Sequence, residues 1–314
     1  MKIFVTGGNG YKGTFLIPKL LKDGYEVTNL DTNWFGDYLR NNEKLISIKG
    51  DIREIKDLNL EGYDAIIHLA NVANDPAVEL NPNMSWEINV LAGQQLIEKA
   101  KSAGVKQFIF ASSGSVYGVK KEDKVTEELP LVPISTYNKT KMIAERVFMS
   151  YQPYMKVHSI RPATVCGVSS RMRLDVAVNL LTFQALKNKK ITVLGGKQIR
   201  PNIHIEDICN VYRHFLKNRE SIESGCFNAG FENVSILDIA KLIQSKIDCQ
   251  IEIKESNDPR SYRQDSSKLI KTGFKPKKKI SDAIDEIISS YKKGLITDED
   301  QWYTVKWMKL NEIK

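Results

Sequence analysis

The sequence predicts an α/β protein built on a doubly wound parallel sheet with a smaller C-terminal α/β domain. Three observations carry that reading: strand-like and helix-like segments alternate through the first half, a glycine-rich turn follows the first strand, and the alternation fails after Arg161-Pro162. Residues 2–6, 26–30, 45–48, 64–69, 107–111 and 156–160 are short apolar runs of strand length. Between them, 11–22, 83–103 and 137–149 carry apolar residues at helical spacing. Strands that alternate with helices in this way form a parallel sheet covered on both faces. Beyond 162 the sequence predicts a helix over 176–186, a strand over 191–194, a helix near 206–216 and smaller elements to 291. The division that follows places 1–165 in a first domain, with 204–230 returning to it, and 166–203 with 231–314 in a second.

At 314 residues the chain is long enough for one large domain and a smaller one. With 42% hydrophobic and 27% charged residues and no apolar run of membrane-spanning length, neither a membrane partner nor a membrane span is expected. Met1-Lys2 leads directly into the first strand without the apolar stretch of a signal peptide, so the expected compartment is the cytoplasm. Cys166, Cys209, Cys226 and Cys249 are widely spaced, which suggests neither a metal site nor a disulfide framework. The net charge of +8 is spread along the chain, and the one dense run, at 275–279, reads as a solvated turn. No nucleic-acid partner follows; a diffuse positive field favours an anionic small substrate. From Asp298 onward Trp302, Tyr303 and Trp307 stand among polar residues, and three large aromatics in so short a tail call for packing on the same chain or on a neighbouring subunit.

After the first strand, Thr6-Gly7-Gly8-Asn9-Gly10-Tyr11-Lys12-Gly13 places glycines where strand turns into helix. Gly7, Gly10 and Gly13 permit the tight turn, the close approach of a pyrophosphate to the helix start and the packing of helix on strand, the signature of a Rossmann dinucleotide site. The second strand leads to Asp31, whose carboxylate suits both hydroxyls of an adenosine ribose and repels a 2′-phosphate, so NAD is expected in preference to NADP. Asp51, in Gly50-Asp51-Ile52, has two readings: a partner of the adenine amino group or a helix cap.

Tyr137 and Lys141 are four residues apart on one helix face. A phenol with an ordinary pKa near 10 is a poor base at neutral pH, and a nearby ammonium together with a positive nicotinamide ring lowers that value. Tyr137 is then a base for a sugar hydroxyl whose carbon is being oxidised. Ser113, at the carboxyl end of the fifth strand, is placed to hold the reacting oxygen.

Taken together these residues resemble the extended short-chain dehydrogenase/reductase family, the nucleotide-sugar epimerases, dehydratases and dehydrogenases. The resemblance runs through the glycine loop, Asp31, Asp51-Ile52, His68-Leu69-Ala70, Asn89-Val90, 112–118, Tyr137-x-x-x-Lys141, Arg161-Pro162, Arg200-Pro201-x-Ile203-His204-x-x-Asp207 and 227–230. It implies Tyr137, Lys141 and Ser113 as catalytic residues, with Lys141 also on the nicotinamide ribose. It implies cofactor contacts from Gly7, Gly10, Tyr11, Lys12, Gly13, Asp31, Asp51, Ile52, Leu69, Ala70 and Asn89. Substrate contacts are expected from Asn179, Arg200 and Arg260, the arginines because a guanidinium chelates diphosphate oxygens. Arg171-Met172-Arg173 is either a further anion contact or the solvated start of a helix.

Where the similar 4,6-dehydratases carry an Asp-Glu pair, this chain has Gly114 and Ser115, so no carboxylate stands there to expel water. Oxidation at C4 remains, ending in a released ketone or a 4-epimer. The 171–175 and 191–196 stretches are similar to bacterial enzymes that modify GDP-linked heptoses for surface, capsular-type polysaccharide, which implies a 4-dehydrogenase first and a 4-epimerase second. A third reading is a dinucleotide-binding sensor or scaffold without turnover. The family habit of pairing through helices such as 83–103 and 137–149 implies a homodimer, or a homotetramer if the tail contributes.

Overall fold

The computed structural model describes residues 1–256 and 261–313. Its strands are β1 (Lys2–Thr6), β2 (Glu26–Asp31), β3 (Leu45–Lys49), β4 (Ala65–His68), β5 (Gln107–Ala111), β6 (Lys156–Pro162), β7 (Thr164–Cys166), β8 (Lys190–Leu194), β9 (Ile199–His204), β10 (Gly225–Ala229), β11 (Glu232–Ser235) and β12 (Gln250–Lys254). Seven of them form one parallel sheet in the order β10-β6-β5-β4-β1-β2-β3. The winding reverses at β1, between β4 and β2, and such a switch point opens a crevice beyond the carboxyl ends of the strands.

The period-two pattern of β1 shows why the sheet is covered on both sides. Ile3 and Val5 pack with Leu16, Ile17 and Leu20 of α1 (Gly13–Lys22), while Phe4 belongs to the opposite core. On Phe4's side lie α2 (Asp75–Val78), α3 (Pro82–Trp86), α4 (Gly93–Ser102) and α5 (Thr136–Met149), whose Val78, Met84, Leu96, Ile97 and Phe148 fill that core. The predicted helix over 83–103 is broken: a π-helical stretch, Glu87–Ala92, separates α3 from α4. Such stretches concentrate at functional sites, and this one carries Asn89.

In the second half, α6 (Ala177–Asn188), α7 (Ile205–Lys217), α8 (Ile236–Gln244), α9 (Ser267–Lys271), α10 (Ile280–Lys292) and α11 (Thr304–Leu310) accompany two small sheets, β11-β9-β7 and β12-β8. The chain returns to the large sheet through α7, whose Ile208 and Val211 join the α1 core, and β10, which pairs with β6 from Gly225 to Ala229. A separate core forms between α6, α8, α10 and β8 around Val178, Ile191, Ile239 and Ile284.

The aromatic tail folds onto its own chain. Trp302 joins the α1-side core, Met308 of α11 joins the core on the other side, and the Trp307 indole donates to the Trp34 carbonyl at 2.5 Å. Among the described residues no helix is long and apolar enough to cross a membrane.

Candidate active site

The crevice at the switch point is a cavity of about 990 Å³ that holds most of the residues singled out from sequence. Its floor is the glycine loop. Gly7 adopts φ +76°, and a Cβ on it would meet the Ala70 nitrogen at 2.5 Å; one on Gly13 would meet Gly8 Cα at 2.5 Å. A Cβ on Gly10 would meet only the Gly7 carbonyl, at 3.2 Å, so the loop is bare on its cavity side. Asn29 of β2 pins it by accepting the Gly8 N–H at 2.9 Å.

Asp31 ends β2 on the cavity wall, its two oxygens accepting the backbone N–H groups of Asn9 and Asn33, each at 2.8 Å. Burial raises its pKa and those two bonds oppose the rise. Of the two sequence readings of Asp51, the structure shows the cap. The carboxylate caps the short 3-10 turn Ile52–Glu54 through the Arg53 N–H and is bridged by the Arg53 guanidinium, yet it remains on the cavity wall beside Ile52. Burial works against its ionisation, but the Arg53 bonds outweigh that and lower its pKa. Leu69 and Ala70 follow β4 along the same wall. The Tyr11 phenol turns inward, donating to the Gly167 carbonyl at 2.6 Å, so that its ring is only 8% exposed.

Ser113, Tyr137 and Lys141 line the same cavity. Ser135 caps α5 through the Asn138 N–H and fixes the start of the helix that carries Tyr137 and Lys141. The Lys141 ammonium donates to the Ala111 carbonyl at 2.6 Å and lies 5.9 Å from the Tyr137 ring centroid. Burial, with the Lys12 charge adding to it, holds Lys141 well below the usual lysine range. Burial also pushes Tyr137 up to about 12, while the neighbouring Ser113 hydroxyl and the Arg173 guanidinium pull it down. The lowered phenol expected from sequence is therefore not a property of the chain alone, because desolvation outweighs the Ser113 hydrogen bond and the Arg173 charge.

Two expected contacts are corrected. Asn89 is fully buried behind the wall: its carbonyl accepts the Val72 N–H at 2.8 Å and its amide donates to the Val72 carbonyl and Thr140. It anchors the loop that lines the cavity instead of facing the cavity. Asn179, also fully buried, accepts the Gly167 N–H at 3.0 Å and donates to Tyr11 and the Arg173 carbonyl, leaving no amide function for a sugar or phosphate. Arg200 does lie on the cavity wall, at the start of β9, whereas Arg260 lies outside the described residues.

Sequence reasoning left Arg171 and Arg173 open; both line the cavity, so neither begins a solvated helix. Arg171 is 3% exposed, stacks over Phe35 at 4.1 Å and donates to Thr304, while Arg173 is paired with Asp175 at 2.8 Å. Sequence reasoning missed Asp75 and the tail residues Tyr303, Thr304 and Lys306, which line the same cavity. The aromatic cluster at 302–307 was the one signal that the tail would be buried. Orphaned buried polar atoms on this wall, on Asn71, Ser112 and Arg173, fit a polar ligand. Together with the bare loop and Asp31, they suit a dinucleotide laid from Asp31 toward Tyr137.

A UDP-glucose 4-epimerase of Lactobacillus helveticus is 28% identical over 318 residues, covering 92% of this chain and 96% of the relative. The crystal structure of a UDP-glucuronic acid 4-epimerase from Bacillus cereus, in complex with UDP-glucuronic acid and NAD, matches with a TM-score of 0.81 at 27% identity, over 93% of this chain and 99% of that one. A UDP-glucose 4-epimerase of Thermotoga maritima, solved with UDP-glucose, matches with a TM-score of 0.85 at 25% identity, over 94% and 100%. The model of one family matches residues 3–230, well over half of the sequence, and the chain belongs to that family, the NAD dependent epimerase/dehydratase family.

Proposed function

We propose that the enzyme oxidises the C4 hydroxyl of a nucleotide-linked sugar, with NAD as the cofactor. The observation that carries this reading is that Tyr137, Ser113 and Lys141 line the same cavity as the glycine loop and Asp31. Bound NAD supplies the acceptor for the hydrogen that leaves C4 with its electron pair, and its positive ring would add to the Arg173 charge that lowers the phenol. Tyr137 Oη takes the hydroxyl proton, Ser113 holds the reacting oxygen, and Lys141 is braced against the Ala111 carbonyl in position to bind a ribose hydroxyl. Asp31 receives the adenosine ribose, the backbone of Gly10 to Gly13 the pyrophosphate, and Arg200 the nucleotide diphosphate of the substrate.

The names of the relatives favour a 4-epimerase, in which the hydrogen returns to the other face of C4, over the 4-dehydrogenase placed first from sequence. Release of the ketone, placed first from the 171–175 and 191–196 stretches, is kept as a second reading. A sensor without turnover gives way to the family assignment and to the presence of both Tyr137 and Lys141. UDP-linked hexoses and GDP-linked heptoses are the substrates to test, the latter with a place in surface-polysaccharide synthesis. Leu91, 57% exposed between α3 and α4, supports pairing of two copies through that face.

Incubation with GDP-, UDP- and dTDP-sugars, followed by mass and proton NMR, tests the proposal. A product lighter by two hydrogens indicates the ketone, and an unchanged mass with altered couplings at H4 indicates the epimer. Turnover of none of these sugars in the presence of NAD contradicts it.

A further inference from the structure

Arg171 is a buried cation without an anion. Its side chain lines the cavity, and among the described residues its guanidinium makes one hydrogen bond, to the Thr304 hydroxyl at 3.2 Å. Its Nε is buried with no partner. The four carboxylates of the cavity are committed elsewhere: Asp31 to the Asn9 and Asn33 N–H groups, Asp51 to Arg53, Asp75 to the Ser135 hydroxyl, and Asp175 to Arg173 and the Thr304 N–H. A charge left without a counter-ion away from water is costly, and a guanidinium does not escape that cost by losing its proton. Burial pulls Arg171 down only to about 10, so it stays charged at neutral pH. Two contacts place it at the glycine-loop end of the cavity. Its backbone N–H donates to the Thr14 hydroxyl at 3.4 Å, and that hydroxyl, in the first turn of α1, donates to the Gly10 carbonyl at 3.0 Å. Its guanidinium stacks over Phe35, in the segment after Asp31, and the Tyr38 N–H ties that segment back to the Asn9 side chain at 2.9 Å.

We propose that Arg171 is a phosphate ligand of the bound dinucleotide, adding a charged side-chain contact to those that the backbone of Gly10 to Gly13 offers the pyrophosphate. This rests on the reading of the cavity as a NAD site. The chemistry suits the place: a pyrophosphate brings the negative charge that the wall withholds from Arg171, and its oxygens accept the N–H groups of a guanidinium in pairs. The start of α1 receives the same anion through its free N–H groups, so loop and arginine converge on one group. Thr304 belongs to the C-terminal tail and holds the guanidinium, so the contact is complete only with the tail seated. The tail thereby takes part in cofactor binding through one named bond, and Thr304 is a positioning residue for Arg171.

The test is a set of dissociation constants for NAD, ADP, adenosine and UDP, measured by ligand-observed NMR on the full chain, on Arg171→Met and on Arg171→Gln. Both substitutions remove a buried charge that has no counter-ion, and methionine keeps an unbranched stem over Phe35, so the fold is retained. In both variants NAD and ADP are expected to bind about tenfold or more weakly, the loss of a hydrogen bond between charged groups, while adenosine and UDP bind as they do to the wild type. Unchanged affinity for NAD and ADP overturns the inference. So does an equal loss for adenosine, which marks Arg171 as a support of the wall or a partner of the base, and so does a loss confined to UDP, which assigns it to the substrate. Failure of the wild type to bind either NAD or ADP overturns the NAD-site reading itself.

Discussion

At the scale of single residues, the cavity is built from groups whose partners dictate what they do. Asp31 is a case where one carboxylate has two duties: it closes the glycine loop through the Asn9 N–H and presents acceptor capacity to the cavity. Asp31→Ser is expected to weaken NAD by about tenfold or more, the loss of hydrogen bonds to a charged acceptor. It also narrows the discrimination against NADP, and competitive binding of the two dinucleotides measures both effects. Asp31, Tyr137 and Lys141 were legible in sequence because each sits at a fixed offset from a strand end or within one helix turn. Asn89 and Asn179 were misread because whether an amide faces a cavity or a backbone loop behind it depends on contacts 17 and 168 residues away, with Val72 and Tyr11. Arg171 and Arg173 were undecided for the same reason, since their burial depends on Phe35 and Thr304.

At the scale of elements, six of the seven strands of the large sheet were legible to within a residue or two because their apolar runs are dictated locally, whereas β10, Gly225–Ala229, was not read as a strand. The π-helical break at Glu87–Ala92 was not, because nothing in a helical period marks it. The tail shows the same limit. Its aromatics announced burial, but its docking site is made by distant residues: the Thr304 N–H donates to Asp175 and the Trp307 indole to Trp34. Tail residues line the cavity, so the tail is expected to stabilise the fold and the site together. Trp307→Ala is predicted to cost about 1–3 kcal/mol and to weaken cofactor binding, and deletion of 298–314 to do both more severely. Chemical denaturation and a cofactor titration on the same samples check this. Full stability and full affinity after deletion would remove the tail from the cavity wall.

For the whole molecule, the sheet carries a built-in acid sensitivity. His68 on β4 and His158 on β6 are fully buried, and burial lowers them to about 3 and about 4. In the unfolded chain they titrate near 6.5. Their folded values are depressed, so the unfolded chain takes up protons first as pH falls. Stability is fully present above about pH 6.5 and is lost progressively toward pH 4, with a loss of about 4 kcal/mol between pH 7 and pH 5 if both act. Thermal midpoints across that range are expected to fall with acidification, and His158→Asn to reduce the drop to roughly half. A flat profile contradicts the neutral, buried state of the two rings.

The central claim is that Tyr137 performs the proton transfer that accompanies oxidation at C4. Its most direct test is a rapid-mixing experiment in which NAD-loaded protein meets its nucleotide-sugar and reduced-nicotinamide absorbance is followed, for the wild type and Tyr137→Phe. The account predicts that the variant binds NAD as the wild type does, yet forms the reduced band at least about a hundredfold more slowly. A variant that forms it at the wild-type rate would show that the proton leaves by another route.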